Sequence, residues 1–253
     1  MLIAEGVEYL FGNPGTSETP LLDVLQDYPQ LKYIQALQEG TAVGMADGYA
    51  RATGRPAIAN IHIAGGLANG ISGLYNAFRG GTPLVLTAGN SDTRMMLQEP
   101  TLSGDLVEMT SQFTKWSAEI LHPGDVPLAV RRAFKEAKTP PEGPVFLSFP
   151  WDTMDETSDV EIAGSAPGFF RTRPDTAAIE QASSLLSQCQ NPLIVVGDRV
   201  AQSGAASELV RVAERLGARV YAASFSEVNF PTSHPLYGGM LNTSNPRTRD
   251  LFS

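Results

Sequence analysis

Cysteine is nearly missing from this 253-residue chain: Cys189 stands alone. One thiol excludes a disulfide framework and fits a reducing compartment. Its place near the end of a helical pattern reads as that of a small core residue. Histidine is scarce too. His62, His122 and His234 lie far apart, without the paired spacing of a zinc site. Basic residues are outnumbered, 18 Lys and Arg against 27 Asp and Glu, for a net charge of −9. No basic cluster overrides that balance, so nucleic acid is not expected as a partner. The longest apolar runs, such as residues 192–196, are far too short to span a bilayer, so no membrane partner is expected. No signal or transit segment is legible, and a cytoplasmic location is expected. Several nucleotide and nucleophile motifs are absent as well. Gly65, Gly66 and Gly70 miss G-x-G-x-x-G because Leu67 takes its middle glycine position, no Walker lysine follows a glycine loop, and no G-x-S-x-G elbow occurs.

What is present is a globular composition, 42% hydrophobic and 18% charged, in a chain long enough for one large or two ordinary domains. Strand-like segments at 7–11, 33–37, 57–63, 83–88 and 144–150 alternate with helical patterns, among them 21–25, 41–50 and 126–137, and a short segment at 113–118. Such alternation predicts an α/β fold, a doubly wound and mostly parallel sheet covered on both faces. Residues 151–173 lose periodicity and mix Asp152, Asp155, Glu156, Asp159 and Glu161 with Thr, Ser, Gly and Pro, which reads as a linker. Alternation then resumes. Asp175 is placed to cap a helix bearing Ile179, Ala182, Leu185 and Leu186, and strands are expected at 193–196 and 219–225. Between those strands Ala206, Leu209, Val212, Ala213 and Leu216 form a helical stripe ended by Gly217. The expected organisation is a first domain at 1–150, a linker at 151–173, and a second, incomplete Rossmann-like α/β domain at 174–253. Both ends look cut. Met1 to Glu5 with Gly6 resembles only the last turn of a helix, and Arg249 to Ser253 resembles an element just begun, so a longer natural protein is expected.

The most informative stretch runs from Tyr33 to Asn69. Ala42, Met45, Ala46, Tyr49 and Ala50 share one helical face, and Gly54 then Pro56 end it. Glu39 sits at the preceding strand-to-helix joint, in phase with that apolar stripe. An acid there needs a partner or a chemical role; the alternative is a helix-start acid favoured by the macrodipole. Ligands of doubly wound sheets sit beyond the carboxyl ends of the strands, and the loops 12–16 and 62–69 fall with Glu39 at that edge. Thr16, Ser17 and Thr19 offer capping hydroxyls, and Asp47 with Arg51 makes an i, i+4 pair.

Several strings now fall in register. They are Phe11-Gly12-Asn13-Pro14-Gly15-Thr16, Ala36-Leu37-Gln38-Glu39-Gly40, Ala46-Asp47-Gly48-Tyr49-Ala50-Arg51 and His62-Ile63-Ala64-Gly65-Gly66-Leu67-Ala68-Asn69. Pro83 to Gly89 and Gly143 to Ser148 continue the series. Together they resemble the thiamine-diphosphate-dependent 2-oxo-acid enzymes, benzoylformate decarboxylase-like and acetohydroxyacid synthase-like. The match is to their N-terminal pyrimidine-binding domain followed by part of the central domain.

The resemblance implies roles. Glu39 would hydrogen-bond N1′ of the cofactor's aminopyrimidine, with a pKa raised by desolvation. His62 would donate a proton to substrate or product, and Thr16 would contact the substrate carboxylate; a core histidine and a capping hydroxyl are the plainer readings. Asn13, Pro14, Gly15 and Asn69 match cofactor-shell positions, though alone they would be turn formers and a helix-start amide. Ile63 stands where benzoylformate decarboxylases carry serine, which leaves the substrate's identity open. Gln98-Glu99-Pro100 is similar to a glutamine-centred stretch of acetohydroxyacid synthases, and an exposed loop explains it equally. The family's diphosphate and Mg²⁺ motif, Gly-Asp-Gly with a downstream Asn, is not matched by Gly197-Asp198-Arg199, so no metal ligand is expected in this chain. Mg²⁺ would be bound by a domain absent from it; FAD in the central domain is left open by the resemblance and not indicated by the sequence. The implied activity is non-oxidative decarboxylation of a small 2-oxo acid, or carboligation of the acetolactate synthase type, by a homo-oligomer with the cofactor at a subunit interface. The chain alone would be inactive; a non-catalytic subunit or an isolated binding domain is the remaining alternative.

Overall fold

A computed structural model of the chain describes residues 1–166, 173–223, 227–242, 244–245, 248 and 251. It divides into two units, 1–170 and 171–253. In the first, the order is β1 (Tyr9–Asn13), α1 (Thr19–Asp23), β2 (Lys32–Gln35), α2 (Glu39–Thr53), β3 (Ala57–Ile61) and α3 (Ile63–Gly80). It continues with β4 (Leu84–Asn90), α4 (Leu106–Thr110), β5 (Ser117–Glu119), α5 (Val126–Lys138), β6 (Val145–Pro150) and α6 (Trp151–Asp155). The six strands form one parallel sheet in the order β2-β1-β3-β4-β6-β5.

Burial follows from composition. β3 and β4 are buried along their whole length, as short apolar strands covered on both sides must be. On one face Ala42, Val43, Ala46 and Ala50 of α2 and Leu67, Leu74 and Ala77 of α3 pack on Ala59, Ile61, Leu84 and Leu86. Small alanines on α2 let that helix lie close to the sheet, and Gly54 ends it at φ 65° with its N–H on Ala50 O. On the other face Val130, Ala133, Phe134 and Ala137 of α5 cover Ile58, Val85, Val145 and Leu147. Full burial of each large side chain contributes roughly 1.5–3 kcal/mol.

Three expectations are corrected in this unit. β1 runs on through Gly12 and Asn13, which pair with Asn60 and Ile61, so the turn begins at Pro14 and not at Gly12. β3 stops at Ile61, and His62 becomes the N-cap residue of α3. The expected linker opens with a helix, because Trp151–Asp155 continues directly from β6 and buries Thr153. Residues 167–172 of that linker lie outside the described residues.

The second unit contains α7 (Thr176–Ser187), β7 (Leu193–Val196), α8 (Arg199–Gln202), α9 (Ala206–Leu216), β8 (Arg219–Ala222) and β9 (Tyr237–Met240). β7, β8 and β9 make a three-stranded parallel sheet. Asp175 caps α7 as expected, its carboxylate accepting the Ala178 N–H at 3.1 Å. The apolar stripe of α7 is nevertheless exposed at Ile179, Leu185 and Leu186. Cys189 is exposed as well, and not the core residue expected, because the helix it follows buries no face. The core here is small, built on Val196, Ala213, Val220 and Phe230. The expected strand end at Phe225 and the element begun at Arg249 fall on residues outside the described set. No described helix is long and apolar enough to cross a membrane.

Candidate active site

Strand order reverses at β1: β2 lies on one side of it and β3 on the other. In a doubly wound sheet the crevice beyond the strand ends at such a reversal is where ligands bind. Asn13 ends β1, His62 follows β3, and Glu39 opens α2 after β2. All three therefore stand at one sheet edge.

Glu39 is 9% exposed. Asn13 Nδ2 donates to its Oε1 at 2.9 Å, and Asn69 Nδ2, from the second turn of α3, donates to its Oε2 at 2.9 Å. Gly66 leaves the space the carboxylate fills: a Cβ there would lie 3.0 Å from Glu39 Cγ and Oε1. Burial pushes the Glu39 carboxyl up, but the Asn69 amide, its own backbone N–H, the Asn13 amide and nearby His62 together pull it below the usual carboxylate value. The expected upward shift is thus corrected. Desolvation is present, and the donors outweigh it.

His62 sits across the reversal with its Nδ1 2.9 Å from Glu18 Oε2 and 3.1 Å from Ser17 Oγ. Glu18 was not singled out by sequence; it is fully buried. The following residue, Ile63, has φ 36°, a strained backbone for a β-branched side chain. Thr16, expected to face substrate, is exposed at the start of a 3-10 turn at this edge, while its buried neighbour Ser17 makes the contact with His62. Pro14 and Gly15 complete the loop after β1. Tyr33 of β2 was also missed. Its hydroxyl is buried without a hydrogen-bond partner among the described residues, and burial, then the Glu18 charge, pushes its pKa up. Gln98 is exposed at the end of a 3-10 turn. Among the described residues no three His, Cys, Asp or Glu side chains group to hold a metal ion.

A cavity of about 380 Å³ lies against the opposite sheet face, lined by Ile58, Val85, Val130, Phe134 and Leu147 among others. None of Asn13, Glu39, His62 or Asn69 lines it, and its walls are mostly apolar. The buried Glu39 and the amides that hold it are at the strand ends, not there.

Comparison with known proteins places the chain in a family. Residues 1–109 match the family described as thiamine pyrophosphate enzyme, N-terminal TPP binding domain, and residues 179–252 match its central domain. The chain belongs to the thiamine pyrophosphate enzyme family. Among its relatives, benzoylformate decarboxylase of Pseudomonas aeruginosa is 37% identical over 246 residues, covering 95% of this chain and 46% of the relative. A relative from Methanocaldococcus jannaschii, described as a probable acetolactate synthase large subunit, is 31% identical over 95% of this chain and 42% of its own length. The crystal structure of benzoylformate decarboxylase from Polynucleobacter necessarius superposes with a TM-score of 0.86 at 37% identity, covering 95% of this chain and 45% of that one. The chain thus spans a little under half the length of these thiamine pyrophosphate enzymes. The doubly wound, mostly parallel α/β architecture expected from sequence is found as a six-stranded parallel sheet and a second parallel sheet, and it matches that of solved thiamine pyrophosphate enzymes.

Proposed function

We propose that this chain supplies the aminopyrimidine-binding part of a thiamine-diphosphate-dependent enzyme that decarboxylates a 2-oxo acid without oxidation, of the benzoylformate type. The observation that carries the proposal is the buried Glu39 carboxylate held between the Asn13 and Asn69 amides at the sheet reversal. The residues fit the cofactor's pyrimidine: each Glu39 oxygen takes one amide, which leaves acceptor capacity for a ring nitrogen. When bound, thiamine diphosphate supplies the electron sink for loss of CO₂. Glu39 holds a hydrogen bond or proton at the pyrimidine nitrogen, while Asn13 and Asn69 fix its direction. Pro14 and Gly15 shape the loop beside it. His62 gives a proton to substrate or product, and Thr16 receives the substrate carboxylate. In this reading Mg²⁺ and the diphosphate are held by a domain outside this chain, contributed within a homo-oligomer.

The kinship with benzoylformate decarboxylases supports the aromatic 2-oxo acid. Carboligation is the second reading, favoured by the acetolactate synthase relative. Product analysis separates them. The gene's complete product, given thiamine diphosphate and Mg²⁺, should release CO₂ and an aldehyde from benzoylformate; acetolactate from pyruvate with no aldehyde would reject decarboxylation. Tight binding of thiamine diphosphate by the 253-residue chain alone would instead support an isolated binding domain.

A further inference from the structure

Glu18 is the most deeply buried ionisable group at this edge, with no exposed side-chain surface. Its carboxylate receives four hydrogen bonds. Gly15 N–H and His62 Nδ1 reach Oε2 at 2.8 and 2.9 Å; Gly89 N–H and Ser17 Oγ reach Oε1 at 2.7 and 2.8 Å. These donors come from the loop after β1, the end of β4 and the start of α3. A carboxylate has about four acceptor sites, so the set is full and the ionised form is the one it fits. Among the described residues His62 is its only ion-pair partner.

The same bonds decide where the His62 proton sits. Ser17 has one hydroxyl proton and gives it to Glu18, so it turns a lone pair to His62 Nδ1 at 3.1 Å. Nδ1 therefore faces two acceptors, Glu18 Oε2 and Ser17 Oγ. An unprotonated Nδ1 would set lone pair against lone pair. The ring is also pinned sideways, since a Cβ on Gly15 would lie 2.3 Å from His62 Cγ and Nδ1.

We infer that Glu18 is a positioning residue for His62, holding its imidazole with the proton on Nδ1 and leaving Nε2 as the nitrogen that exchanges protons with the substrate. This rests on the reading of His62 as proton donor. In the transfer the charged ring loses its Nε2 proton to the acceptor and becomes the neutral Nδ1–H form, still donating from Nδ1 to Glu18. A histidine presents the correct nitrogen only when the other is tied down, and here a carboxylate ties it.

The test is long-range ¹H–¹⁵N spectroscopy of the histidine-labelled complete gene product, with the His62 signals identified by their loss in His62→Asn. The neutral ring should show a protonated Nδ1 and a bare Nε2, and Glu18→Gln should shift it toward the Nε2–H tautomer. That substitution should also lower kcat by about 10–100-fold, the scale on which loss of a histidine-orienting group is felt, with KM changed far less. A neutral Nε2–H ring in the unsubstituted protein overturns the inference, and needs no variant that folds. So does Glu18→Gln that folds and keeps the Nδ1–H signature. If the tautomer is as stated but His62→Asn keeps full activity, the inference about position stands and the reading of His62 as proton donor fails.

Discussion

Asn69 and Glu39, thirty positions apart in the chain, meet through an Nδ2 to Oε2 hydrogen bond of 2.9 Å. The contact joins the start of α3 to the start of α2, two helices that follow different strands of the sheet. It thereby sets the direction of an acid that its own helix only places.

Asn69→Ala should cost about 1.5–3 kcal/mol near neutral pH, the scale for a hydrogen bond to a charged group. The loss should also depend on pH. Burial raises the Glu39 carboxyl, but the Asn69 amide is the largest of the influences that bring it below its ordinary value in the folded chain. Stability from a group lowered in this way is complete above the unfolded value and disappears as pH falls through the folded one. Thermal midpoints of the two proteins should accordingly differ at pH 7 and converge in acid. A difference that is constant across this range would mean that Asn69 acts by packing and not through the Glu39 charge.

Gly66→Ala separates stability from binding. Alanine is favoured over glycine inside a helix by about 1 kcal/mol. Its Cβ, however, would lie 3.0 Å from Glu39 Oε1, so the carboxylate must move by a few tenths of an ångström. The melting point should stay close to that of the parent protein, while thiamine diphosphate affinity of the complete gene product falls. Calorimetric titration beside a thermal melt reads both; unchanged affinity would show that the carboxylate's position is not critical.

Leu74→Ala provides the contrast. Leu74 is fully buried under α3, on the face shared with α2. Removing its branched end should cost about 2–5 kcal/mol, the range for large-to-small changes in a core. Cofactor affinity measured well below the melting point should be retained. Loss of affinity there would mean that the site depends on α3 packing more widely than the hydrogen bonds indicate.

Glu39 was legible because helical phase is local: counting back from Ala42 and Ala46 places it on a buried stripe, and burial follows. Asn13 was harder. A Gly-Asn-Pro-Gly string signals a turn, yet pairing with β3 draws Gly12 and Asn13 into β1, and this brings the amide to Glu39. Glu18 had one weak signal. It stands three residues after Gly15, the spacing at which a carboxylate returns to a helix-start N–H, and it does so at 2.8 Å. Its bonds to His62 and Gly89 span 44 and 71 positions, which no local pattern encodes. In the second unit the limit is different. The stripe of Ile179, Leu185 and Leu186 marks an amphipathic helix, but periodicity shows which face is apolar and not whether anything covers it.

Glu39→Gln tests the centre of the proposal with almost no change of shape. Glutamine keeps one oxygen able to accept an amide, so either Asn13 or Asn69 retains its partner while the other faces an NH₂ group. The variant should fold with a modest loss of stability, on the order of 1–3 kcal/mol for the unsatisfied donor. Its proton-holding capacity at the pyrimidine nitrogen is gone, because a carboxamide does not titrate in the working range. Hydrogen–deuterium exchange at the cofactor's C2 position, followed by NMR after acid quench of the loaded complete gene product, should slow by roughly 10²–10⁴-fold, as expected when a proton-transfer group is removed. Exchange at the parental rate in a folded, cofactor-bound Glu39→Gln protein would take Glu39 out of the chemistry and leave it only the work of anchoring Asn13 and Asn69.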